Sequence, residues 1–246
     1  MIKTELTRRY LIYFFGIYFV AMGLALIITS GLGTSPISTW AYVMSRNTPL
    51  TVGTYTFIIN MAMITGQILI LRHHGLRKQK YNILLQIPFS FIFSAFIDTN
   101  VFLVRQFYSL LQTESIWTNY GISFCFLIIG CIIQSYGVLM EVRPGVTMMS
   151  AEAFVYYICG RWEKEFGNMK VGFDVSMVSL AAIFSLGFAL TPEHIADKGV
   201  IQCIVDGILG SIREGTVIAA LSVGRLVKLF AKHSGWLDRF MHIYSI

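Results

Sequence analysis

The chain has 246 residues, 55% of them hydrophobic and only 13% charged, with a formal net charge of +6. A soluble domain carries about 25% charged residues, and apolar runs of about twenty residues recur along the whole length, so a soluble globular fold is excluded. The runs are continuous and do not alternate, which argues against a β-barrel. The basic excess sits in short loops at their ends, where it sets membrane topology and gives no reason to expect a nucleic-acid partner.

Residues 1–9 form a short basic leader with Lys3, Arg8 and Arg9. Residues 10–29 are the first span. It has no small-x-small cleavage site and further spans follow it, so it reads as a retained helix and not a signal peptide. Residues 31–45 break the helical pattern. Gly31 and Gly33 stop the first helix, because glycine reaches backbone angles that end helices. Thr34 or Ser35 then supplies a hydroxyl cap and Pro36 opens a new helix. That helix is too short to cross a bilayer, so it is expected to be re-entrant. Its first N–H groups need protein, water or a ligand, because lipid offers no partner.

Spans two and three are residues 51–71 and 82–104. The basic loop between them holds Arg72, His73, His74, Arg77, Lys78 and Lys80, with the histidines read as surface residues. Gln86 lies within the third span and Asp98 near its far end. The fourth span is residues 119–140. A second broken segment, residues 144–160, starts at Pro144 and Gly145. The fifth span is residues 171–190. Residues 200–230 are too long for one plain span, so they divide into an amphipathic piece at 200–211 and a sixth span at 214–230. Residues 231–246 read as a basic amphipathic tail on the membrane surface. Cys125, Cys131, Cys159 and Cys203 have no metal-ligand spacing and read as buried structural thiols.

Counting lysine and arginine with the N-terminus inside puts 15 of the 19 on the inner side and 3 outside. The expectation is therefore six spans with both termini cytoplasmic.

The two breaks belong to an internal repeat at an offset of 114 residues, which matches Gly23 and Gly31 to Gly137 and Gly145. At the same offset Trp40 matches Phe154 and Tyr42 matches Tyr156. With a five-residue insertion in the second copy, Leu50-Thr51-Val52-Gly53 matches Met169-Lys170-Val171-Gly172. The expected fold is an all-α polytopic membrane protein of six transmembrane helices in two inverted 3+3 repeats, residues 1–110 and 111–246. Each repeat carries a re-entrant half-helix after its first span. In such repeats the interrupted segments point to the binding site.

Gly-Leu-Gly-Thr-Ser-Pro at 31–36, Leu-Thr-Val-Gly-Thr at 50–54, Arg-Pro-Gly at 143–145 and Arg-Glu-Gly-Thr-Val-Ile at 213–218 give a family resemblance across nearly the whole chain. The chain resembles the YczE-like bacterial membrane proteins and is distantly similar to the YitT-like group. The resemblance implies a bacterial inner-membrane protein of about six spans from a largely uncharacterised family. It supplies no catalytic residues.

The residues expected to bind a solute are Gly31, Gly33, Thr34, Ser35, Ser38 and Trp40 in the first copy, and Gly145, Thr147, Ser150 and Glu152 in the second. Half-helix N-termini suit an anionic group, whereas Glu152 suits a cation or proton, so together they could hold a zwitterion. Proton or ion coupling is assigned to Glu152, Glu214 and Arg213, because charges at bilayer depth are costly and usually functional. As neighbours on a helix, Arg213 and Glu214 would point about 100° apart and pair poorly; Asp206 is an alternative partner for Arg213. Glu141 and Arg143 read as rim residues. Asn60, Gln67, Gln86 and Gln134 read as interhelical hydrogen-bonding residues. Trp40, Tyr42, Tyr55, Phe154 and Tyr156 are expected to cluster around the site.

No cofactor or metal is expected. The expected function is a secondary transporter or permease for a small polar organic solute, with proton coupling. The alternatives are a substrate-binding membrane subunit of a multi-component importer, which would need a partner subunit, and a membrane scaffold or regulator that transports nothing. A homo-oligomer is compatible with each. An enzyme is not expected, because no nucleophile–base pair stands out.

Overall fold

The computed structural model describes residues 3–191, 200–211, 213–235, 237 and 240. Among the described residues eight helices follow one another: α1 (Lys3–Thr29), α2 (Pro36–Asn47), α3 (Val52–Leu111), α4 (Ile116–Val142), α5 (Ser150–Trp162), α6 (Phe166–Ala189), α7 (Val200–Ser211) and α8 (Glu214–His233). Helix α3 contains both spans expected at 51–71 and 82–104. Its helical turns continue through the basic loop, yet the chain reverses there. Gln67 Nε2 donates to Gln86 Oε1 at 2.9 Å and the Gly53 N–H donates to Asp98 Oδ1 at 2.7 Å. In a straight helix residues 67 and 86 would stand ~28 Å apart. The two arms, Val52–Leu71 and Arg77–Leu111, therefore lie side by side.

Among the described residues, five segments are long and apolar enough to cross a membrane: Glu5–Thr29, Val52–Leu71, Arg77–Leu111, Ile116–Val142 and Phe166–Ala189. The expected sixth span forms α8. It is not among the five, because Glu214, Arg225, Lys228 and Lys232 interrupt its apolar character. The tail at 231–246 lies largely outside the described residues, as do residues 192–199 and the side chains of His73, His74 and Asp206.

The centre of the molecule is the crossing of α1 and α4. A Cβ placed on Gly23 would stand 2.5 Å from the Gln134 backbone nitrogen, and one on Gly137 would stand 2.5 Å from the Val20 nitrogen. Only glycine lets the two backbones approach this closely. As the contacts climb α1 they descend α4, so the two helices are antiparallel. Tyr13, Ile17, Ala21, Leu24 and Ala25 build the core on this seam, together with Phe93, Ile97 and Val101 from the second arm of α3.

Helix boundaries repeat at the expected offset. Helices α2, α5 and the starts of α3 and α6 obey it: Pro36 pairs with Ser150, and Val52 with Phe166. The five-residue insertion is thus corrected, since Gly53 falls opposite Gly167 at a constant 114. Gly31 and Gly145 both hold left-handed backbones, at φ 69° and 61°. Each half-helix packs across the molecule. Trp40 of α2 meets Phe184 of α6 edge-on at 6.1 Å, and Phe154 of α5 fills the space beside Gly66 of α3.

Gly23→Ala and Gly137→Ala should each cost about 1–3 kcal/mol through overpacking and lower the melting temperature of the purified protein. Gly121→Ala, at a position on α4 with nothing within 4 Å of an added Cβ, should leave it unchanged or raised.

Candidate functional site

The two breaks lie at opposite ends of the antiparallel α1–α4 pair, and each is tied to distant chain. At the first, the Gly215 N–H donates to the Leu32 carbonyl at 2.8 Å and Arg213 Nη1 donates to the Gly31 carbonyl at 2.7 Å. The Thr34 N–H donates to Thr216 Oγ1 at 3.3 Å. At the second, Thr147 Oγ1 donates to the Asn82 carbonyl at 3.4 Å and Arg9 Nη1 to the Pro144 carbonyl at 3.5 Å.

The hydroxyl caps differ from expectation. Ser35 occupies the N-cap of α2, but its side chain makes no cap bond and donates to Ser38 Oγ at 3.1 Å. In the second copy the N-cap is Met149, and neither Thr147 nor Ser150 fills that role. Ser150 is the first helical residue. Its hydroxyl donates to Asn60 Oδ1 at 2.7 Å, and its carbonyl accepts from Gln67 Nε2 at 2.9 Å. Proline at the start of α2 removes one N–H that would need a partner, whereas α5 is fixed by the two amide side chains of α3.

Both half-helix starts reach one cavity of about 130 Å³. Ser35 and Ser38 enter it from α2, and Met149, Ala151 and Glu152 from the start of α5. Thr56 and Asn60 of α3 and Gln134 and Glu141 of α4 supply the remaining polar wall; Val20, Leu24 and Phe93 supply apolar surface. A second cavity of about 290 Å³ adjoins it and shares Glu141, Val142, Met149 and Glu152. It extends along Gly145 and Thr147 to Gln79 and Asn82 beside the α3 reversal. The pair thus runs from beside the α3 reversal to the half-helix starts, with mostly apolar walls that carry a few polar side chains.

The charges along this path are unequal. Glu141 is 7% exposed, and among the described residues no lysine or arginine pairs with it. The Met149 backbone N–H and the Glu152 carboxylate are its neighbours. Tyr13, fully buried, closes the same corner and points its hydroxyl at Met149 Sδ, 3.7 Å away. Glu152 lies 4.0 Å from Lys170 Nζ, which also holds Asp174 at 3.0 Å.

Several expected site residues lie elsewhere. Gly31, Gly33 and Thr34 belong to the latch with residues 213–216. Arg213 and Glu214 do pair with each other, at 3.3 Å, and both are exposed. The helical separation argument fails because Arg213 is the extended N-cap of α8, with φ −123° and ψ 172°. Trp40 stands outside the cavity between Tyr55 and Phe184. The expected single aromatic cluster divides, with Phe154 against Phe173 and Tyr156 against Tyr157 on the other half. Asp98 accepts from Thr51 Oγ1 at 2.6 Å and from the Gly53 N–H, holding the start of α3. Cys125 is exposed, whereas the other three thiols are buried.

Sequence reasoning undervalued Glu141. Its signal was a carboxylate one helical turn before Pro144-Gly145, at the end of an apolar run.

Residues 7–232 match a family of unknown function, DUF6198. The chain belongs to this family. An uncharacterised family was expected, but membership lies in DUF6198, and the YczE-like and YitT-like naming is not supported. Over 125 residues the DUF6198 chain is 30% identical to the uncharacterized protein YyaS of Bacillus subtilis strain 168, which covers 51% of this chain and 59% of the relative. The chain thus spans less than two thirds of that relative's length. No solved structure matches.

Opening the latch should expose the first half-helix. In a Cys125→Ser background, Asn82→Cys should react with a membrane-impermeant thiol reagent from one face. Ser35→Cys should become reactive from the other face when Arg213→Ala is added. Labelling of Ser35→Cys that ignores Arg213→Ala would contradict the latch.

Proposed function

We propose that the protein is a permease for a small polar solute, built from two inverted halves at residues 1–110 and 111–246, with its site between the two half-helices. The observation that carries this reading is the convergence of Ser35 and Ser38 from one half with Met149 and Glu152 from the other on a single cavity. The constant 114-residue offset of the helix boundaries and the antiparallel crossing of α1 and α4 support the inverted repeat. Corresponding interrupted segments are where inverted-repeat transporters place their solute.

Access from one end supports transport over simple storage. The second cavity approaches the site from the α3 reversal, while the Arg213–Gly31 latch binds the opposite end. The reversal carries Arg77, Lys78 and Lys80, so this end is assigned to the cytoplasm of a bacterial inner membrane, with both termini on that side. Coupling, first assigned to Glu152, Glu214 and Arg213, moves to Glu141. Glu214 and Glu152 already face cations, whereas a carboxylate buried at membrane depth without one is the group whose occupancy a proton or solute would change.

Proteoliposomes containing this chain alone test the proposal. A panel of radiolabelled small polar solutes should include at least one that crosses, with flux reduced about tenfold or more by Glu141→Gln and less than twofold by Glu214→Gln. Flux that appears only with a copurifying ATPase would replace the permease with an importer subunit. No flux and no solute binding would favour the scaffold.

A further inference from the structure

The cavity's own chemistry narrows the solute, and the inference rests on the permease reading. Among the described residues, no lysine, arginine or histidine lines either cavity. Glu141 supplies a buried carboxyl with no described cation beside it, and Lys170 is divided between Glu152 and Asp174. An anionic solute would meet only carboxylates, despite the two half-helix N-termini. A hard metal cation needs about six oxygen ligands, and much of this wall is Val20, Leu24, Ile59 and Phe93.

Two buried polar atoms on the wall have no partner. Asn60 Nδ2 is a donor and Gln134 Oε1 is an acceptor, and the two residues are 5% and 8% exposed. A hydroxyl accepts one hydrogen bond and donates another, so it offers the two complementary functions that these atoms lack. Interchanging the O and N of Gln134 leaves two donors, and one hydroxyl oxygen can accept from both. Gln134 and Glu141 are seven residues apart on α4, which puts them on one face with ~10 Å of rise between them. The cavity's 130 Å³ has room for a small molecule.

We propose that this cavity binds a short protonated amino alcohol of the ethanolamine class, with its ammonium on Glu141 and its hydroxyl between Asn60 and Gln134. The two-carbon chain lies against the apolar wall. The ammonium replaces the missing cation beside Glu141, and the hydroxyl completes the two unpaired amides.

The test uses the purified full chain in detergent and phosphate buffer, with binding read by calorimetry at constant ionic strength. The probes are ethanolamine hydrochloride, ethylamine hydrochloride, sodium glycolate and sodium chloride. Ethanolamine should bind, ethylamine should bind about tenfold more weakly for want of the hydroxyl, and the two sodium salts should give no signal. Glu141→Gln should abolish amine binding. Gln134→Leu should bring ethanolamine down to the ethylamine level without changing ethylamine itself, and it keeps the test decisive if Glu141→Gln does not fold. Tighter binding of glycolate, saturation by sodium chloride alone, equal binding of the two amines, or no amine binding by folded protein would each overturn the assignment. Flux of some other solute through this chain alone, without amine binding, would remove the amino alcohol and keep the permease. Loss of both would remove both.

Discussion

A chain that leaves helical geometry inside hydrocarbon exposes N–H and C=O groups that lipid cannot hydrogen-bond, and each such group costs several kcal/mol if left unmet. The helices of this protein break at Gly31 and at Gly145, and in both places distant chain supplies hydrogen-bond partners. Leu32 and Thr34 are held by Gly215 and Thr216, and Gly31 by Arg213. Pro144 is held by Arg9 and Thr147 by Asn82. The breaks are therefore cross-bracing points. Separating the two ends of the sequence would leave both of them unsatisfied.

The half-helices follow from the same constraint. Beyond the α1–α4 seam, which Gly23 and Gly137 bring to backbone contact, the chain leaves its helix at each break. It turns back and packs across the molecule, α2 on α6 and α5 on α3. Ser150 is anchored by Asn60 and Gln67, so the start of α5 is a fixed wall of the cavity. Glu141 then lies at the junction of the two cavities, away from the cations that answer Glu152 and Glu214. A buried carboxyl with no cation beside it costs stability, which is why its position in one cavity wall with Asn60 and Gln134 reads as a binding feature.

The breaks were legible in the sequence because glycine and proline act locally. Residues 31–45 and 144–160 enclose or closely approach the observed half-helices at Pro36–Asn47 and Ser150–Trp162. The 114-residue offset was legible for the same reason, since Gly31 and Gly145 need the same left-handed angle. What was not legible depends on long-range placement. The face that α4 turns to the cavity decides whether Glu141 is rim or interior, and apolar residues surround it in sequence either way. Arg213 pairs with Glu214 because docking on Leu32 holds it extended, a geometry that a helical wheel does not contain. The expected insertion near Leu50 came from matching Gly53 to Gly172, when Gly167 stands at the constant offset and carries the helix start.

The convergence of α2 and α5 on one cavity is the claim on which the account depends. It is tested most directly by cross-linking Ser38→Cys to Glu152→Cys with a short bifunctional thiol reagent in the native membrane, read by mass spectrometry of the intact chain. The account predicts an intramolecular bridge between the two cysteines at good yield. Two singly modified cysteines with no bridge, each labelled from a different face, would contradict it.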